Sequence, residues 1–181
     1  MARNARLVEP GTLFHITQRG NNHQEVFLSP SDRAVYLQLA HAHFADCALS
    51  LLAYCLMTNH VHWLARPTRP DSMAVFFRRV HGRYAQYLNT RCGLSGHLWQ
   101  GRFFSCMVAP ARLPLVLRYI EMNPVRAGIV TAPQLYPYSS AQQHLTGIFP
   151  EKTPLDRAFW HDFGGSPAWA ELLAAGNLTE G

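Results

Sequence analysis

The chain is 181 residues long, with 48% apolar and 12% aromatic residues; that is room for one domain with a core of its own and excludes wholesale disorder. Its net charge is +5 and its pI about 9.3, a balance that suits a polyanionic partner without requiring one. Fifteen of the sixteen basic residues are Arg, with Lys152 the sole lysine; a guanidinium fork grips phosphate and stacks on bases, although GC-rich codon usage produces the same excess.

Leu13 to Gln18 alternates apolar and polar residues and predicts a first strand. The turn-rich Arg19-Gly-Asn-Asn-His follows it, and Ser29-Pro-Ser-Asp opens a helix expected to run to about Ala45. Leu49 to Met57 and His60 to Ala65 read as a second and third strand joined by the polar Thr58-Asn59. Pro70-Asp71-Ser72 opens a second helix, in which Met73, Phe76, Phe77, Val80, Tyr84 and Leu88 keep the spacing of one buried face. Gly93 to Gly101 reads as a loop and Phe103 to Ala109 as a fourth strand. Pro114 marks the start of a third helix that ends near Asn123, because Pro124 follows. The order is β-α-β-β-α-β plus a helix, which predicts an α+β, ferredoxin-like fold with an additional C-terminal helix. Residues 1–145 are expected to form the functional domain. Residues 146–181 are expected to be a tail that wraps it or is partly disordered, with one short helix from Ser166-Pro167 to Gly176.

Cys47, Cys55, Cys92 and Cys106 are scattered without a CxxC pair, which fits reduced thiols rather than a disulfide frame or a zinc site. The N-terminus carries no apolar stretch of signal-peptide type, and the longest apolar run, Cys47 to Met57, is too short to span a bilayer. A cytoplasmic protein with no membrane partner is expected, as a monomer or homodimer.

Two segments carry chemistry. In His60-Val61-His62, strand geometry turns both imidazoles to one side, giving half a metal site; the plain alternative is two unrelated half-exposed histidines in a chain holding ten. In Arg118-Tyr-Ile-Glu-Met-Asn-Pro-Val-Arg126, helical spacing places Tyr119 and Asn123 side by side. A phenol beside a neutral oxygen ligand suits metal-assisted attack on phosphate. Taken singly, Tyr119 reads equally as a core aromatic and Asn123 as a cap.

Together these segments resemble the HUH single-tyrosine transposases, and most of all the REP-associated tyrosine transposases. The resemblance runs from about Leu13 to Ser140, through Arg19-Gly-Asn-Asn, Asn59-His-Val-His, Gly96-His-Leu-Trp-Gln-Gly-Arg-Phe103 and Tyr119-Ile-Glu-Met-Asn-Pro-Val-Arg126. It implies that His60, His62 and Asn123 bind Mg²⁺ or Mn²⁺, although other branches often carry Gln at the third position. It implies that Tyr119, on the added helix, is the nucleophile that cuts single-stranded DNA beside hairpins of repetitive extragenic palindromes, leaving a 5′-phosphotyrosine and a free 3′-OH. A phenol starts near pKa ~10 and needs activation. Tyr84 and Tyr87 are rival nucleophiles, but neither has an Asn one turn on.

DNA contacts are expected from Arg19, Asn21 and Asn22 in the first loop, which suit base edges, and from Arg126. Arg78, Arg79 and Arg83 suit backbone phosphates or simply solvate a helix face. Trp99, Gln100 and Arg102, beside Gly101 and Phe103, suit an unpaired base and its phosphate; the competing reading buries Trp99 and Phe103 in the core. Two other functions use the same features: a metal-dependent phosphodiesterase in which water attacks, and a non-catalytic nucleic-acid-binding module.

Overall fold

The computed structural model describes residues 8–151 and 153–175. Four antiparallel strands, β1 (Phe14–Arg19), β2 (Leu49–Leu56), β3 (His60–Pro67) and β4 (Phe104–Met107), stand in the order β2-β3-β1-β4. Helices α1 (Pro30–His41) and α2 (Ser72–Cys92) are the two crossovers. That is the α+β, ferredoxin-like arrangement expected from the element order.

Local chemistry sets the element ends. Asp32 accepts from the backbone amides of Leu28 and Ser29 in a capping box, while Pro30 takes the first turn of α1. The helix stops at His41, short of Ala45, and the chain turns through 42–48 before β2. Gly93, at φ +64, caps α2 in the left-handed conformation. β4 is shorter than expected from Phe103 to Ala109, because 3₁₀ geometry begins at Pro110. The third helix, α3 (Leu113–Glu121), is followed by one short turn of helix, α4 (Asn123–Arg126), rather than running on to Asn123. Pro124 cannot donate into a continuing helix, so the axis breaks and Asn123 opens the next turn.

The sheet is covered on both faces. Ile16, Val61 and Trp63 pack with Tyr36, Phe76, Phe77 and Val80 of α1 and α2. Cys55 and Leu64 pack on the other side with Leu117 and Ile120 of α3 and with Trp169. β2 therefore reads as an almost unbroken apolar run, as expected of a strand buried on both faces. After α4 the chain forms α5 (Ala141–Thr146), α6 (Arg157–Asp162) and α7 (Gly165–Ala174), two more helices than the sequence reading gave; Gly176 lies outside the described residues. α5 and α7 lie against each other, and α7 also meets α3. Since α3 rests on β2 and β3, the same face of β4 is left open, with Phe104 64% exposed.

Candidate active site

Strand alternation and register build the site. Thr17 pairs with His62 and Arg19 with His60 across the β1–β3 ladder, so His15, Thr17, Arg19, His60 and His62 share one face. The His60 and His62 rings lie 4.9 Å apart, and His15 stacks on His62 at 5.2 Å. Tyr119 of α3 stands edge-on to both, 5.5 Å from His62 and 5.8 Å from His15. Tyr119 is 38% exposed, and the Arg126 guanidinium lies 4.9 Å from the centre of its ring.

Hydrogen bonds decide which ring nitrogens are bare. The Asn59 amide nitrogen donates to the His23 carbonyl, so its Oδ1 must accept from His60 Nδ1, 2.7 Å away. His60 Nε2 then carries a lone pair. The Asn123 amide nitrogen donates to the Tyr119 carbonyl and lies 3.3 Å from His62 Nε2, which must accept. His62 Nδ1–H is thereby assigned to His15 Nε2, 3.0 Å away. Burial lowers the pKa of His60 to about 4, helped by the Arg19 charge, and that of His62 to about 2, helped by the neighbouring imidazoles and Arg19. Burial also lowers that of His15. Both histidines of the HxH pair are thus neutral, each with Nδ1 tied from behind; Nε2 is free in His60, and in His62 it becomes available to a metal once the Asn123 amide turns away.

Two imidazoles fit a divalent cation. Among the described residues no group of three His, Cys, Asp or Glu side chains could hold one, so further ligands must be an amide, water or substrate oxygen. As placed, Asn123 turns its nitrogen toward His62; it offers an oxygen only after its amide turns over and gives up the Tyr119 carbonyl.

The other expected residues fall into two groups. Arg19 and Arg126 join the histidine face. Asn21 and Asn22 lie in a tight turn whose strain shows in Asn22 at φ +50, and Asn22 is exposed. Arg78 and Arg83 are exposed on α2, the helix on the opposite face of the sheet, and Gln100 and Arg102 are exposed on the loop before β4. Trp99 is not an open platform. It is buried, donates its ring N–H to the His81 carbonyl at 3.1 Å and packs 4.5 Å from the His81 ring. Of the rival phenols, Tyr84 is buried in the core and donates to the Val26 carbonyl, and the half-buried Tyr87 donates to Asp32.

Three residues escaped the sequence reading. His15 and Phe104 sit on the histidine face only because of strand register, Phe104 pairing with Thr17. Glu121 is fully buried behind Tyr119, where it accepts from Ser140 and from the Trp169 ring N–H and lies 2.6 Å from His144 Nδ1. The alternation of β1 does place His15, Thr17 and Arg19 together, a signal that becomes specific only once β1 is set beside β3.

The family model for IS200-like transposases matches residues 11–123, which contain the paired histidines, Tyr119 and Asn123. The chain belongs to that family. Its members are enzymes that cut and rejoin DNA. A protein of Haemophilus influenzae described as a REP-associated tyrosine transposase is 27% identical over 128 residues, covering 64% of this chain and 67% of that one. Among solved structures, that of a REP-associated tyrosine transposase bound to a REP hairpin superposes with a TM-score of 0.70 over 100% of this chain and 95% of the other, at 18% identity. At that identity the likeness is one of fold, and it covers the C-terminal helices as well as the sheet. No helix among the described residues is long and apolar enough to cross a membrane.

Proposed function

We propose that this IS200-like transposase cuts and rejoins single-stranded DNA at hairpins of repetitive palindromes, with Tyr119 as nucleophile and a divalent cation held by His60 and His62. The observation that carries the reading is the pair of neutral imidazoles on one strand face, with the Nε2 of His60 bare and that of His62 met only by the Asn123 amide, standing beside the exposed Tyr119. The hairpin is taken from the related proteins, one described as a REP-associated transposase and one solved with a REP hairpin.

When bound, Mg²⁺ or Mn²⁺ supplies neutralisation of phosphate-oxygen charge and alignment of phosphorus. Tyr119 Oη gives up its proton to water and attacks phosphorus, the bond to the 3′ oxygen breaks, and that oxygen takes a proton from water and leaves as a 3′-OH. The 5′-phosphotyrosine conserves the ester bond, so a second 3′-OH reverses the step and joins strands without a further energy source. Arg19, across from His60, and Arg126, over the Tyr119 ring, place positive charge where the phosphodiester enters. Exposed Phe104 offers a base a stacking surface on the same face. His15 fixes the tautomer of His62 through Nδ1, and Asn123, on the helical turn after Tyr119, reaches the opposite nitrogen, Nε2.

A labelled hairpin with a single-stranded flank, incubated with Mn²⁺, tests the reading. A covalent protein–DNA band is expected from the wild-type chain, none from Tyr119→Phe with hairpin binding retained, and none from His60→Ala. Cut DNA without an adduct would point instead to a water-using phosphodiesterase. An undiminished adduct in Tyr119→Phe would move the nucleophile elsewhere.

A further inference from the structure

The turn that follows β1 is held from two sides. Gly20 donates its backbone N–H to the Asn59 carbonyl at 2.8 Å, and Asn21 donates to the Leu98 carbonyl at 2.8 Å. Gln24 closes the turn, its backbone N–H on the Asn21 carbonyl and its side-chain amide on the Leu98 carbonyl, both at 2.9 Å. Between these anchors Asn22 and His23 take left-handed backbone angles in succession, φ +50 and +60. Residues with a side chain adopt that conformation at a cost, and keep it only where the surroundings hold it. Gly20 is required at the crossing, since a Cβ there would overlap the Gln24 carbonyl oxygen. The His23 carbonyl is thereby aimed at the tip of the β2–β3 hairpin, where the Asn59 amide nitrogen donates to it at 3.2 Å. A carbonyl only accepts, so the amide is fixed in one sense, and its Oδ1 is left for His60 Nδ1 at 2.7 Å.

We propose that Asn59 is a positioning residue: it holds His60 as the Nδ1–H tautomer, with Nε2 bare for the cation, and is itself aligned by the turn 20–24. The inference rests on the metal-site reading above. A neutral imidazole carries its proton on either nitrogen, and one that carries it on Nε2 has no lone pair there for a metal. His62 is fixed by the His15 ring on the neighbouring strand; His60, the first residue of β3, is fixed by an amide. Partners of this kind orient a ligand and raise its basicity. The segment from Arg19 to His23 thus acts on the cation through its backbone, whatever its side chains meet.

The test separates the ring from the turn. Asn59→Ala removes both contacts. Asn59→Asp removes the N–H given to His23 but keeps an oxygen for His60 Nδ1–H. Histidine labelled with ¹⁵N reports the tautomer through its two ring-nitrogen shifts, and the His60 signals are identified by their absence from His60→Ala. The EPR signal of free Mn²⁺ reports affinity without DNA or cleavage. Mildly alkaline pH keeps the ring neutral even beside a carboxylate. The wild type is expected to show His60 as Nδ1–H. Asn59→Ala is expected to show the Nε2–H form mixed in, and to bind Mn²⁺ at least about tenfold more weakly. Asn59→Asp is expected to keep Nδ1–H and to bind Mn²⁺ at least as tightly as the wild type. A wild-type His60 in the Nε2–H form overturns the proposal without any variant, and leaves the metal reading standing if Mn²⁺ still broadens the His60 and His62 signals. An Asn59→Ala chain with wild-type tautomer and affinity also overturns it. So does an Asn59→Asp chain as weak as Asn59→Ala, which would mean that the residue only braces the turn. Wild-type His60 and His62 signals untouched by Mn²⁺ would overturn the metal reading, and this proposal with it.

Discussion

Glu121 sits two residues from the candidate nucleophile and ties α3 to the C-terminal helices. Its carboxylate is fully buried; Oε1 accepts from Ser140 and lies 2.6 Å from His144 Nδ1, and Oε2 accepts from Trp169 Nε1 at 2.7 Å. In Glu121→Gln one acceptor oxygen becomes an amide N–H₂. Leaving the oxygen with Ser140 and His144 turns that amide against the Trp169 N–H, so two buried donors face each other unpaired. Ser140 also reaches the Tyr54 carbonyl at 3.3 Å, so it is not orphaned in either orientation. At about 1–3 kcal/mol per unsatisfied donor, partly relieved by relaxation, the expected loss is about 3 kcal/mol. Urea unfolding followed by tryptophan fluorescence reads this as a midpoint lower by about 1.5 M, taking a slope of ~2 kcal/mol per M. Under conditions where the variant stays folded, adduct formation should slow more than hairpin binding, because the helix that carries Tyr119 has lost its rear attachment. A midpoint shift below about 0.5 M at unchanged slope would refute the idea that this carboxylate holds α3 in place.

His15→Leu removes the partner that fixes the tautomer of His62; Mn²⁺ affinity, read from the metal dependence of cleavage, is expected to fall roughly 10–100-fold, and an unmoved metal midpoint would mean that His15 does not orient its neighbour. Stability should fall as the solution is acidified. Burial lowers the pKa of His81 from 6.5 to about 3, so the unfolded chain takes up a proton that the folded chain refuses; the stabilisation is complete above pH ~6.5 and is lost progressively below it. From pH 7 to 5 the loss from this group alone is about 2 kcal/mol, measurable by urea unfolding at each pH. A His81→Phe variant should show a shallower dependence, and equal slopes would place the effect elsewhere.

The sequence by itself determined the order of elements as far as α3, because apolar periodicity and punctuating residues are local properties. Ser29-Pro30, Gly93 and Pro124 mark their boundaries through backbone geometry that needs no tertiary partner. It also determined that His60 and His62 point together and that Tyr119 and Asn123 lie a helical turn apart, since each pair is related by the repeat of a single element. Only the tertiary structure decided what these pairs face. The places of His15 and Phe104 depend on the register of β1 against β3 and β4, contacts between residues far apart in the chain. The same holds for Trp99, whose surroundings in sequence suit an open stacking surface but whose ring is drawn into the α2 packing. Burial of large aromatics is settled by the whole core, whereas capping and alternation are settled within a few residues.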